Sequence, residues 1–168
     1  DLRFLTGTGQ YTDDINVQGQ AYVYFLRSSV AHGKINNIDI TDASKMPGVV
    51  RIFTGMDFEG LGGIPTGWQV TDRHGDPMQE PAHPVLAQNK VRHVGDRIAA
   101  VVADSAELAR DAAEAIRVDI EELPAVVDMK AALDSSSPKV HDDLTSNLCY
   151  DWGFLEDNRE AVNEAFET

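Results

Sequence analysis

The chain has 168 residues, enough for one domain that buries most of the surface its unfolded form exposes. Its hydrophobic fraction of 42% and charged fraction of 25% are those of a globular protein and exclude wholesale disorder. A net charge of −14 repels phosphate backbones and anionic lipid, which argues against nucleic acid and acidic membranes as partners and leaves solubility or attraction to a basic partner as its uses.

The first twenty residues are rich in Gly, Asp, Thr and Gln, with Gly7, Gly9 and Gly19 punctuating an extended lead-in and no helix. Residues 21–28, alternating and rich in Tyr, Val and Phe from Ala21 to Leu26, read as a well-buried strand, and a second strand follows at about 34–40. Thr41 or Asp42 caps a helical turn that Pro47-Gly48 ends, and Val49 to Thr54 is a third strand. From Gly60 to Pro84 five Gly and four Pro interrupt any hydrophobic period, which marks a long loop. Loops of that length in a compact domain are usually functional or mobile.

The clearest unit runs from 97 to 122. Ile98 to Ala103 is a buried strand, Asp104 or Ser105 caps a helix, and Leu108, Ala109, Ala112, Ala113 and Ile116 recur at helical spacing on one face. Alanines on that face allow close approach to a sheet. Glu107, Arg110, Asp111, Glu114 and Arg117 cover the other side, and Val118 to Glu121 alternates as a half-exposed strand. A short helical stretch at about 128–133 precedes the polar turn Ser135-Ser136-Ser137-Pro138. Residues 146–168, with Tyr150, Trp152 and Phe154 among acids and Asn, read as a C-terminal extension. The expected fold class is α+β, with a mixed sheet and a few packed helices in a single domain.

Sites for chemistry are sparse. The single Cys149 excludes an intrachain disulfide, a CxxC metal site and a redox dithiol, and points to the cytoplasm. No apolar run approaches the ~20 residues of a membrane helix, and Asp1-Leu2-Arg3-Phe4 lacks a signal-peptide layout. The absent initiator Met and the abrupt end at Thr168 are those expected of a piece of a longer chain. His32, His74, His83, His93 and His141 never fall at the spacing of a helical metal pair, so no bound metal is expected. Gly7-Thr8-Gly9 fails as a dinucleotide loop because Thr12 stands where the third glycine belongs and no strand precedes it. Ser136-Ser137-Pro138-Lys139 matches Ser-x-x-Lys only formally, since that chemistry needs a helix to fix both side chains. The paired acids Asp13-Asp14, Glu121-Glu122 and Asp142-Asp143 read as solvated faces and caps. No nucleophile, base and oxyanion donor come together, so neither a catalytic nor a cofactor-binding residue is assigned.

The order of short motifs resembles the α/β hammerhead domain of the molybdenum hydroxylases, the family of xanthine dehydrogenase, aldehyde oxidase and the aerobic carbon monoxide dehydrogenase large subunit. The motifs are Leu5-Thr6-Gly7 with Gly9, Tyr11 and Asp13-Asp14-Ile15; Arg27-Ser28; Ala31-His32; Pro47-Gly48-Val49; and Thr54-Gly55 with Asp57. They continue as Pro84-Val85-Leu86-Ala87, Val91, Gly95, Ala99 to Ala103, Glu121-Glu122-Leu123-Pro124-Ala125-Val126 with Asp128, and Val140-His141. The chain departs from the pattern at Ser29-Val30, where the family often has Pro-His, at Gly33 for a common Ala, and at Ile120 for a common Tyr.

That resemblance implies a hammerhead domain over 1–145 and, over 146–168, the start of a linker toward cofactor-binding domains. It implies a full protein with molybdopterin, and 2Fe-2S and FAD in partner domains or subunits. The implied chemistry is a water-derived oxygen inserted into a C–H bond of an aldehyde, an N-heterocycle or a similar small substrate, or oxidation of carbon monoxide. The glutamate base and Gly-rich cofactor loops of the family belong to later domains. By the same resemblance the loop before Pro84 approaches the substrate path, making Trp68, Met78, Gln79 and Glu80 the candidate access residues. The competing expectation is a free-standing interaction or maturation module that shares the fold.

Overall fold

The run with the fewest polar side chains becomes the centre of the molecule. In the computed structural model, which describes residues 2–153 and 159–167, β5 (Arg97–Ala103) lies between β1 (Tyr22–Arg27) and β3 (Val49–Thr54), antiparallel to both. Helix α2 (Ala106–Glu114) follows β5 directly. Its cap is Ser105, whose Oγ accepts the Leu108 N–H at 3.2 Å, and Arg110 and Glu114 pair along its exposed side at 2.9 Å. Ala99, Val101 and Ala103 of β5 and Ala109, Ala112 and Ala113 of α2 are all 0% exposed and share one cluster with Ile52 and Ile116.

A second three-stranded sheet has β2 (Gly33–Asp39) at its centre, flanked by β4 (Lys90–Val91) and β6 (Arg117–Glu122), again antiparallel. Ile98, from the first sheet, is buried with Ala87 and Val91, and Ile35, Ile38, Val118 and Ile120 of the second sheet pack against them. Ile38 and Val118 border both clusters, so one continuous core joins the sheets.

The α+β class therefore holds, but the expected mixed sheet is two antiparallel ones. The strand-helix-strand unit suggests a parallel crossover, yet β6 leaves α2 for the other sheet and pairs there with β2. The lead-in also differs from the extended reading: Leu2–Leu5 forms a single helical turn, α1, whose carbonyls accept from the Thr6 and Thr8 hydroxyls, and Thr12–Asp14 forms a 3₁₀ turn. Helix α3 (Arg159–Phe166) occupies part of the segment read only as an extension, and Phe154 lies outside the described residues. Strand β1 is the third difference. Expected to be buried, it leaves Val23 55% and Tyr24 and Phe25 each 39% exposed, and among the described residues it has a strand neighbour on one edge alone. An apolar run shows that a strand wants burial without showing what buries it.

The motifs behind the family resemblance meet in pairs. Arg27 donates to Gly95 O at 2.9 Å, and Gly95 N donates to Ser28 O at 2.7 Å. The His32 Nδ1–H donates to Pro124 O at 2.8 Å, and Leu123 N donates to His32 O at 2.9 Å. Gly48, at φ +78, sits under α2 where a Cβ would lie 2.5 Å from Leu108 Cδ1. At Gly55 a Cβ would lie 2.3 Å from Ala87 O, so Thr54-Gly55 and Pro84 to Ala87 touch backbone to backbone.

The three departures also meet. A Cβ at Gly33 would lie 2.4 Å from Ile120 Cγ2 and 3.3 Å from Val30 Cγ1. Glycine at 33, isoleucine at 120 and valine at 30 are thus one packing solution. Gly33→Ala should cost about 1–3 kcal/mol of unfolding free energy, and Gly33→Ala/Ile120→Ala should lose less than the two single variants summed. Strict additivity in urea titrations would show that Ile120 does not dictate the glycine.

The alanine-lined seam makes a second demand. Ala112→Leu pushes extra methyl groups between α2 and β5 and should lower stability by about 1–3 kcal/mol, read as an earlier urea midpoint at unchanged slope. A midpoint that stays in place would mean the helix does not sit against the sheet as closely as its 0% exposure at Ala109, Ala112 and Ala113 requires.

Candidate functional site

The long loop between β3 and β4 is built on a pinched base. Ile64 N donates to His83 O at 2.7 Å, and a Cβ at Gly63 would lie 2.5 Å from His83 N, so the two ends of the loop approach through backbone atoms. Within it, Thr71 and Pro77 bridge as an antiparallel pair. Asp72 Oδ1 accepts from His74 N at 2.8 Å and Asp76 N at 2.9 Å, which closes the turn through Gly75 at φ +87. The loop is therefore an ordered Ω-type excursion with its own hydrogen bonds.

Each of the four candidate access residues has a defined place in it. Glu80 is spent internally: Oε1 accepts from Thr66 N at 2.6 Å, and Oε2 accepts from Gln69 Nε2. Those bonds, Thr66's foremost, hold its carboxyl below the ordinary value of 4.5, so it is a clip for the turn that carries Trp68. Trp68 itself is 78% exposed. Met78 is half-buried and its N–H donates to Val70 O at 3.0 Å. Gln79 acts through its backbone, with its N–H donating to Cys149 O at 2.8 Å and its carbonyl accepting from Cys149 Sγ at 3.1 Å. The structure thus joins Glu80 to the Trp68 turn, Met78 to Val70 two residues past Trp68, and Gln79, on the returning arm, to Cys149 beyond the loop.

The partner of that arm is one that residue spacing does not reveal. Arg73 donates to Asp151 twice, from its N–H to the carbonyl at 2.9 Å and from Nη2 to Oδ1 at 2.7 Å. Together with Cys149 these contacts fasten the loop to a segment 70 to 78 positions later in the chain. The only signal in the sequence is the opposite charge of Arg73 and Asp151, which many other pairs share.

The remaining suspects separate. Lys139 Nζ, the lysine of the Ser136-x-x-Lys139 match, donates to the carbonyls of Asp142 and Leu144 at 3.4 and 3.0 Å, and the neighbouring Ser137 Oγ donates to Ala131 O, so the segment makes turn contacts. Asp142 pairs with Lys90 at 2.6 Å, which holds its carboxyl below the ordinary range. His141 is lowered by burial first and by the nearby Arg92 second. Among the described residues no three His, Cys, Asp or Glu side chains gather as a metal-holding group, and no helix is long and apolar enough to cross a membrane.

Because the Glu80 pKa is depressed in the fold, the clip is complete above about pH 4.5 and is lost as pH falls through the lowered value. Glu80→Ala should reproduce the acid state at neutral pH, with the Thr66 amide exchanging about tenfold faster and Trp68 emission shifted. An unchanged Thr66 amide in that variant would assign its protection to something other than Glu80.

Residues 6–124 match the family described as the aldehyde oxidase and xanthine dehydrogenase a/b hammerhead domain. The nicotine 6-hydroxylase large subunit of Paenarthrobacter nicotinovorans is 40% identical over 134 residues, which are 79% of this chain and 16% of that one. Quinoline 2-oxidoreductase from Pseudomonas putida 86 superposes with a TM-score of 0.75 at 39% identity, covering 86% of this chain and 18% of that one. The Cu,Mo carbon monoxide dehydrogenase in its carbon monoxide-reduced state gives 0.70 at 33% identity, covering 89% and 18%. This chain spans 16–18% of the length of these proteins. It belongs to the aldehyde oxidase and xanthine dehydrogenase family, as an a/b hammerhead domain.

Proposed function

We propose that the chain serves as the hammerhead domain of a molybdenum-dependent hydroxylase large subunit, where it is a structural part of the enzyme and not its catalyst. The observation that carries this reading is the extent of the match: most of this chain aligns with large oxidoreductase chains, and they run on for more than four fifths of their length beyond it. The relatives act on nicotine, quinoline and carbon monoxide by their names, so the substrate here is a small aldehyde, an N-heterocycle or a similar molecule, or carbon monoxide.

No residue of this chain is assigned to a molybdenum pterin. Cys149 Sγ is engaged with Gln79 O, and no cluster of ligating side chains forms among the described residues. The cofactor, held by other domains of the subunit, supplies the oxidation chemistry, with 2Fe-2S and FAD groups in partner domains or subunits passing electrons on. What this chain supplies is framing. The clipped loop 60–84 presents Trp68 and Met78 toward the substrate path, with Glu80 and Gln79 fixing their positions. Residues 146–168 lead toward the cofactor domains and are fastened at Cys149 and Asp151 as they leave.

The test is the intact mass and molybdenum content of the native polypeptide that contains this sequence, purified from its source. The expected result is a chain several times longer with close to one molybdenum, in which Trp68→Ala raises KM about tenfold or less while kcat stays nearly level. A native polypeptide of about 168 residues without molybdenum would sink the proposal in favour of a free-standing module.

A further inference from the structure

Strand β1 leaves apolar surface and a backbone edge uncovered together among the described residues. One edge of β1 pairs with β5, and the other has no strand neighbour among the described residues. Along that open side runs a groove of about 420 Å³ lined by Val23, Tyr24, Phe25, Leu26 and Arg27 and closed by Glu114 at the end of α2. Register places Val23 and Phe25 opposite Val102 and Ala100, on the face away from the one where Leu26 joins the α2 core. Open edges are normally blunted by Lys, Pro or an outward bulge. From Tyr22 to Leu26 β1 carries neither residue, and the one irregularity in its pairing lies toward β5 between Leu26 and Arg27.

We infer that an extended apolar segment of the large subunit, from the portion beyond the span this chain shares with its relatives, adds to the open edge of β1 as a further strand and covers Val23 and Phe25. The inference rests on the large-subunit reading above. The size of the site selects this occupant. An edge of six residues buries far less than the ~1,000 Å² that separate proteins need for a stable interface, whereas a tethered segment binds at high effective concentration and avoids most of the association entropy. More than four fifths of the relatives' length is available to provide it. A second copy of this chain is disfavoured by charge, since each copy carries −14. β-strand addition also uses what β1 offers: main-chain groups for register and alternate apolar side chains for grip.

Hydrogen exchange of peptides covering β1 tests this, measured on the native polypeptide that contains the sequence and on the 168-residue chain. The outward-facing amides of β1 should exchange at least about tenfold more slowly in the native polypeptide, and Phe25→Asp there should return them toward the fast rate. Fast exchange of β1 in a long, molybdenum-containing polypeptide would overturn the inference and leave the large-subunit reading standing. Slow exchange already present in the 168-residue chain, and dependent on its concentration, would overturn it in favour of a second copy. A native polypeptide ending near residue 168 without molybdenum would remove both.

Discussion

The structure depends on the seam between β5 and α2. Ala99, Val101 and Ala103 on one side and Ala109, Ala112 and Ala113 on the other are sealed from solvent, and five of these six side chains are single methyl groups. A seam of methyls brings the helix backbone close to the sheet, so dispersion and exclusion of water act over a short distance and tolerate no added bulk. Because α2 occupies that face, β5 fills the centre of its sheet with β1 and β3 on either side. The strand that follows α2 must then find a partner elsewhere. It finds β2, and the second sheet with its own cluster around Val91 and Ile98 is the result.

This arrangement explains why the family resemblance consists of short, scattered motifs. Two sheets and one helix meet at few junctions, and each has a backbone group on at least one side: Ser28 with Gly95, His32 with Leu123 and Pro124, Gly48 under Leu108 of α2, Gly55 against Ala87. Such contacts tolerate few alternatives, because any added Cβ collides or any lost carbonyl leaves a donor without a partner. Gly33 shows the converse case. There the junction is made by side chains, and a smaller residue at 33 accompanies Ile120 and Val30 without disturbing the pairing of β2 with β6.

Much of the fold was legible in the chain before any coordinates. The third strand ends at the same residues as expected, the helix cap falls on one of the two residues named, and four of the five positions read as the buried helical face are buried, with Leu108 half-covered. These are local properties, set by periodicity and capping. What was not legible was non-local. Nothing in the 97–122 unit says that β6 departs for another sheet, and the apolar run of β1 reads as burial within the domain when its surface is left outside. Of the candidate site, the existence of the loop was legible from its Gly and Pro, and its four named residues fall on two arms of it. Its order was not, because the Glu80 clip bridges fourteen positions and the Arg73 to Asp151 contact seventy-eight.

Loop 60–84 and strand β1 differ in kind as surfaces. Loop 60–84 has its backbone groups extensively paired and exposes a single large aromatic, Trp68, on a turn fixed by an ionised carboxylate. It is a finished structure presenting one side chain. Strand β1 is the reverse, with side chains set in order by the ladder to β5 while its outer backbone edge has no strand partner among the described residues. A finished loop suits contact with something that comes and goes, since it keeps its shape without a partner. An open strand edge suits contact with something permanent, because an edge left bare invites the wrong partner. On the proposed large-subunit reading, the loop is the surface met by a transient visitor and β1 the one that a lasting neighbour completes.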